Sequence, residues 1–276
     1  MKKTSLLILF SLGLFCLPVR AQQPIQIEKI PFKPSLDGMD TEWSSVQAVE
    51  IPVNGPLTVG KVIMKAGIYG KEVFFIFKWA DTTHDTLHRP FVWNEEKQRY
   101  IDGDQREDRL AMQWEMSGDF THDWQSGKSF IADMWHWKSA RSNPIGLAHD
   151  KIINISTNPS RKAIRIKGKG GQSIYIKRDS DDGDIYKSER VKDVRQDDVM
   201  LRYHLLSNPK GSVADVSAKG VWQNNEWTLE LSRKLNTGQK DDAVFIPGKT
   251  IRAAIAIFDR TGGDEHNISD TLVFQF

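Results

Sequence analysis

Strand-like alternation dominates this chain, and the 3.6-residue apolar period of an amphipathic helix is scarce. Residues 62–66 and 73–79 are short apolar runs on either side of Gly67-Ile68-Tyr69-Gly70-Lys71, which predicts a strand pair. Leu110, Met112, Trp114 and Met116 occupy alternate positions and so share one face of a strand. Residues 163–167 and 173–177 flank Gly168-Lys169-Gly170-Gly171, and an Asn224-Asn225 turn joins Val221-Trp222 to residues 227–231. Residues 251–258 are almost continuously apolar, the mark of a strand buried on both faces. Together these spacings predict an all-β fold, a β-sandwich of immunoglobulin-like or jelly-roll-like kind with irregular insertions. Residues 178–200 are charged and poor in apolar side chains, which predicts a surface excursion. Within it, Asp179-Ser180-Asp181-Asp182-Gly183-Asp184 resembles a calcium loop but lacks the glutamate at the twelfth position, so it reads as a solvated loop.

The amino terminus changes the picture. Lys2 and Lys3 precede an apolar run from Leu6 to Leu17, followed by Val19-Arg20-Ala21-Gln22. That order predicts a secretory signal peptide cleaved near Ala21, residues 1–21, and a single domain over 22–276 in the periplasm or outside the cell. The run is too short for a membrane span, which needs about 20 apolar residues. Cys16 is the single cysteine, so the cleaved chain has no disulfide, no thiolate nucleophile and no thiols for covalent haem attachment. Without Lys2, Lys3 and Arg20 the formal charge is 35 basic against 36 acidic residues, from 38 and 36 in the whole chain. A nearly neutral surface argues against nucleic acid or an anionic membrane as partner.

The densest group of unusual residues is Asp133-Met134-Trp135-His136-Trp137-Lys138, followed by Arg141. In an extended segment Trp135 and Trp137 share one face, while Met134, His136 and Lys138 share the other. That second face presents a thioether, an imidazole and an amine in a row, each able to ligate iron. Taken alone, the residues are better described as core tryptophans beside a hydrogen-bonded histidine at the rim of a sandwich.

Several stretches together resemble the haem-binding domain family shared by the haem subunits of ethylbenzene and dimethyl sulfide dehydrogenases and certain cytochromes. They are Leu36-Asp37-Gly38 with Trp43; residues 108–114; residues 133–144; Gly220-Val221-Trp222 with residues 226–231; and residues 245–249. The first and fourth also recur in family 9-like carbohydrate-binding modules. The resemblance implies a carbohydrate-binding-module-like sandwich holding a non-covalent haem b between a lysine and a methionine. Carried over, it assigns Lys138 as nitrogen ligand and Met112 as sulfur ligand, with Met116, Met134 and His136 in reserve. It further implies Trp114, Trp135 and Trp137 as an apolar lining that depresses the Lys138 pKa, and Arg109 and Arg141 as partners of the haem propionates. The implied role is electron transfer to subunits of a periplasmic oxidoreductase or to other electron-transfer proteins, with no catalysis by the domain itself. The rival expectation is a non-catalytic carbohydrate-binding module that stacks sugars on some of the nine tryptophans.

His84, His88 and His122 read as surface histidines, because Thr82, Thr83 and Pro90 favour a loop over a helix that would pair His84 with His88. No Gly-x-Ser-x-Gly elbow or glycine-rich phosphate loop occurs. Glu95-Glu96 and Asp241-Asp242 read as solvated turns.

Overall fold

The alternating apolar positions assemble into two facing sheets. The structure, a computed structural model, describes residues 23–180, 183–262 and 265–276. The expected signal peptide, and Asp181 and Asp182 of the acidic loop, lie outside the described residues. The larger sheet runs Ile25–Gln26, Leu272–Gln275, Thr250–Phe258, Arg109–Gly118, Phe130–Lys138, His149–Ser156, Ser173–Ser180, Ile164–Lys167, and Asn267–Ile268 joins it on Thr250–Phe258. The smaller sheet runs Ser217–Gln223, Glu226–Lys234, Glu72–Ala80, Lys61–Tyr69, Val49–Pro52. This is a β-sandwich, as the alternation predicts.

The core lies between the sheets. Val62, Phe75, Phe77 and Leu229 of the smaller sheet meet Leu110, Met112, Trp114, Trp135, Trp137 and Ile255 of the larger one. The Phe75 ring centre is 5.6 Å from that of Trp114 and 5.9 Å from that of Trp135. Each such side chain contributes roughly 1.5–3 kcal/mol by leaving water, so this layer dominates stability.

Turn chemistry sets the register. Asn224 and Asn225 both adopt positive φ, at 55° and 60°, and close a two-residue turn between Gln223 and Glu226. The first hairpin is tighter than its sequence implies: Tyr69 pairs with Glu72, and the turn is Gly70-Lys71 alone. Gly67 is not a breaker. It sits mid-strand, where an added Cβ would lie 2.5 Å from Ile30 Cγ2.

The excursion at 178–200 also does more than trail in solvent. Ser173–Ser180 extends the larger sheet into it, and Tyr186–Ser188 pairs with Tyr203–Leu205. Val199–Met200 pairs with Phe91–Asn94. These short pairings carry Tyr186 and Tyr203 to the outer face of the larger sheet, where the candidate site lies.

Candidate functional site

Strand Phe130–Lys138 divides its side chains as its sequence predicts. Trp135 and Trp137 enter the core between the sheets, whereas Met134 packs with Ala111, Ala132 and Phe258 on the outer face. Lys138 is the cross-strand partner of Arg109, and His136 is the partner of both Ala111 and His149. Directly opposed residues of an antiparallel pair project from the same face, so Lys138, His136, His149 and Arg109 all belong to the outer face.

Lys138 is buried, at 2% exposure, and its Nζ lies 2.8 Å from Nδ1 of the buried His149. Tyr186 covers the pair: its ring centre is 5.3 Å from the amine and 5.5 Å from the His149 ring. Burial, then the charges of Lys151 and Arg141, push the Lys138 pKa well below its ordinary value. Burial, then Lys138, likewise lowers that of His149. Burial thus biases both groups toward their neutral forms. With Nδ1 of His149 accepting, the Lys138 amine donates one N–H and keeps its lone pair for a Lewis acid.

A cleft of about 310 Å³ is lined by His88, Arg89, Arg106, Arg109, Arg141, Thr261 and Gly262, and Arg109, the cross-strand partner of Lys138, relates it to this pair. Glu107, fully buried, organises one wall. It accepts hydrogen bonds from the backbone N–H of Ala140 and Arg141 and from Arg141 Nε at 2.6 Å, and its Oε1 lies 3.3 Å from His88 Nδ1. Arg109 donates to the carbonyls of Thr261 and Gly262, while its buried Nε has no acceptor among the described residues. Burial, then Arg141, Arg109 and Arg106, push the His88 pKa down to about 2, so that imidazole is neutral. The cleft is thus strongly electropositive, with the uncharged His88 imidazole in its wall.

The structure does not bring together the two iron ligands expected from sequence. Met112 packs in the core opposite Trp135, and Met116 also packs against that core. Lys138 lies on the other face of the sheet. Trp114, Trp135 and Trp137 face the core and do not line the lysine; Tyr186, His149 and Arg141 take that place. Met134 and His136 do share the lysine's face. The imidazole Nε2 of His136 is buried without a hydrogen-bond partner among the described residues. Arg109 and Arg141 both line the cleft.

His88 is the residue most misjudged from sequence. It is no surface histidine: its side chain is 11% exposed and borders the cleft. His84 stacks on Trp222 at 5.2 Å, and His122 contacts Thr271 Oγ1 at 3.1 Å. Asp242 is buried rather than solvated. The sequence pattern does not mark Glu107, Tyr186 or Tyr203, and it marks His149 only as the first residue of a strand.

The family model described as ethylbenzene dehydrogenase matches residues 40–268, and the chain belongs to that family. No curated protein matches the chain. Among solved structures, a family 9 carbohydrate-binding module from Caldicellulosiruptor kristjanssonii in complex with cellotriose is similar at 9% identity and TM-score 0.38, covering 91% of this chain and 84% of the module. A Bacteroides uniformis protein described as carbohydrate-binding is similar at 10% identity and TM-score 0.41, covering 91% and 90%. Among the described residues no helix is long and apolar enough to cross a membrane.

Proposed function

We propose that this member of the ethylbenzene dehydrogenase family is an exported b-type haem-binding domain that passes electrons within a larger oxidoreductase assembly, with Lys138 as the nitrogen ligand to iron. One arrangement carries the reading: a buried lysine, its pKa lowered by that burial, with its amine positioned by His149 on the sheet face whose Arg109 and Arg141 line a cleft. A lysine must be deprotonated to coordinate, and burial is the means by which proteins achieve that. His149 acts as the outer partner that fixes the orientation of the donor atom.

The donor set on the outer face fits haem, with a different second ligand from the one read in sequence. Our choice is His88, which borders the cleft as a neutral imidazole, with His136 and Met134 on the same face as alternatives. Arg109, whose Nε lacks an acceptor among the described residues, and Arg141 are the candidates for the propionates. Haem would supply one-electron chemistry there; the protein supplies ligands, burial and charge. Export rests on residues 1–21.

The sugar-binding alternative has no fully exposed tryptophan among the described residues to stack a sugar. Trp43, Trp79, Trp114, Trp135, Trp137 and Trp227 are buried, and Trp93, Trp124 and Trp222 are half-buried. The test is reconstitution of the purified protein with haemin. A Soret band that Lys138→Ala abolishes or shifts is the expected result. No Soret band in the wild type, or an unchanged one in Lys138→Ala, overturns the assignment.

A further inference from the structure

A second site, independent of the haem reading, lies where the two sheets end together. Asp81 follows the strand Glu72–Ala80 of the smaller sheet. Asp108 precedes Arg109–Gly118, and Asp259 follows Thr250–Phe258, two paired strands of the larger sheet. One carboxylate oxygen of each lies within 4.8 Å of the others. Asp85 adds a fourth carboxylate at the edge: its backbone N–H donates to Asp108 Oδ2 at 2.9 Å.

The oxygens of this group are not all accounted for. Asp81 is 3% exposed, and while its Oδ1 accepts from Thr83, its buried Oδ2 accepts no hydrogen bond among the described residues. Asp85 Oδ2 and Asp259 Oδ1 are in the same condition. Arg260 is the basic side chain that reaches the group, at 3.8 Å from Asp85 and 3.6 Å from Asp259, and it is more than half exposed. The Asp108 oxygens are held by Trp227 Nε1 and by the backbone N–H of Asp85 and Arg260. Oδ2 accepts from Trp227 and Asp85, while Oδ1 accepts from Arg260 alone and still has a lone pair for a further partner. Burial, then repulsion from Asp81, raises the Asp108 pKa to about 8, and burial raises that of Asp81 to about 6. A buried, unpaired carboxylate oxygen is costly, and three acids facing one another compound it.

We infer that Asp81, Asp108 and Asp259, with Asp85 at the rim, form a binding site for a divalent, oxygen-seeking cation, calcium above all. Calcium accepts six to eight oxygen ligands in flexible geometry, which suits carboxylates drawn from the ends of three strands and a loop better than the strict octahedron of magnesium. A cation here joins the two sheets at one end of the sandwich. It also braces the segment from Asp81 to His88, which reaches the arginine-lined cleft.

The full-length purified protein, stripped with EDTA, is titrated with calcium chloride and, separately, magnesium chloride while its melting temperature is followed. Calcium is expected to raise Tm progressively, by about 5 °C or more near a hundredfold its Kd, with magnesium weaker. Terbium bound at the same place should luminesce on tryptophan excitation, because Trp227 hydrogen-bonds Asp108. Asp259→Asn, at the more open side of the group, should remove both signals while melting no lower than wild type in EDTA; Asp81→Asn is the stricter second variant. Absence of both signals in the wild type overturns the site, and equal signals in Asp259→Asn place the cation elsewhere and overturn this assignment.

Discussion

Met112 and Lys138 lie on adjacent strands of one sheet and project from its opposite faces, Met112 toward Trp135 in the core and Lys138 toward His149 outside it. Side chains alternate along a strand, and residue 112 pairs with 135, not with 138, so no rotamer change brings the thioether and the amine to one metal. This separation gives the two residues different expected phenotypes. Met112→Ala leaves a cavity in the core and should lose about 2–5 kcal/mol of stability by urea denaturation, while keeping the spectrum of haem-loaded protein. Lys138→Ala should alter that spectrum. A spectral change in Met112→Ala without one in Lys138→Ala would return the ligand role to the core side.

What the sequence announces and what it hides divide along physical lines. The Asn224-Asn225 hairpin, the inward row of Leu110, Met112 and Trp114, and the division of Trp135 and Trp137 from Lys138 follow from local rules, a period of two and turn residues that tolerate positive φ. Gly67 misleads because a glycine that admits a close neighbour looks, in sequence, like one that ends a strand. The surroundings of Lys138 are hidden for another reason. His88 and Glu107 lie 50 and 31 positions before it, and Tyr186 and Tyr203 come from a charged stretch with no apolar period. No local pattern reports contacts between segments so far apart. The acids at 81, 108 and 259 escape notice likewise, each being an ordinary aspartate at a strand end until the sheets close.

Glu230 ties the amino-terminal segment to the smaller sheet. Buried in strand Glu226–Lys234, it accepts from the backbone N–H of Asp37 and Gly38 through Oε2 and from Trp43 Nε1 through Oε1. All three partners are donors. Glu230→Gln turns one acceptor into a donor facing a donor and should cost about 1–3 kcal/mol in urea denaturation. Amide exchange at Gly38 should quicken with it; an unchanged rate would mean that the segment is held by other contacts.

Gly220 and Trp137 meet too closely for a side chain. A Cβ on residue 220 would lie 2.4 Å from Trp137 Cζ2. Asn143 fixes both, accepting from Trp137 Nε1 and from the Gly220 N–H and donating to the Gly220 carbonyl. Gly220→Ala must push the indole aside and strain that contact set, an expected loss of about 1–3 kcal/mol. Near-ultraviolet circular dichroism should report the displaced ring, and an unchanged spectrum with unchanged stability would refute the clash.

Arg233 is buried among three acids, with its Nη1 2.5 Å from Asp133, 3.4 Å from Asp242 and 3.9 Å from Asp150. Burial opposes its charge, but the three carboxylates hold its pKa above the ordinary value. Its guanidinium also lies 4.8 Å from the centre of the Trp135 ring and 5.0 Å from that of Phe245, so the charge cluster is built into the core. Asp242 is raised by burial even with Arg233 present. Arg233→Met keeps much of the apolar stem but leaves the acids without the cation among them. Breaking a buried pair in this way costs about 3–5 kcal/mol at neutral pH. The sign of the pH dependence follows from linkage. Without Arg233 the buried Asp242, already raised by burial, loses the cation that lowers it, so the native state binds more protons than the unfolded chain and its stability falls as pH rises through the raised value. The deficit of Arg233→Met relative to wild type should therefore be small near pH 4 and widen toward pH 7. Urea denaturation at the two pH values checks this, and a deficit independent of pH would mean that Arg233 acts through its packing on Trp135 and Phe245 and not through its charge.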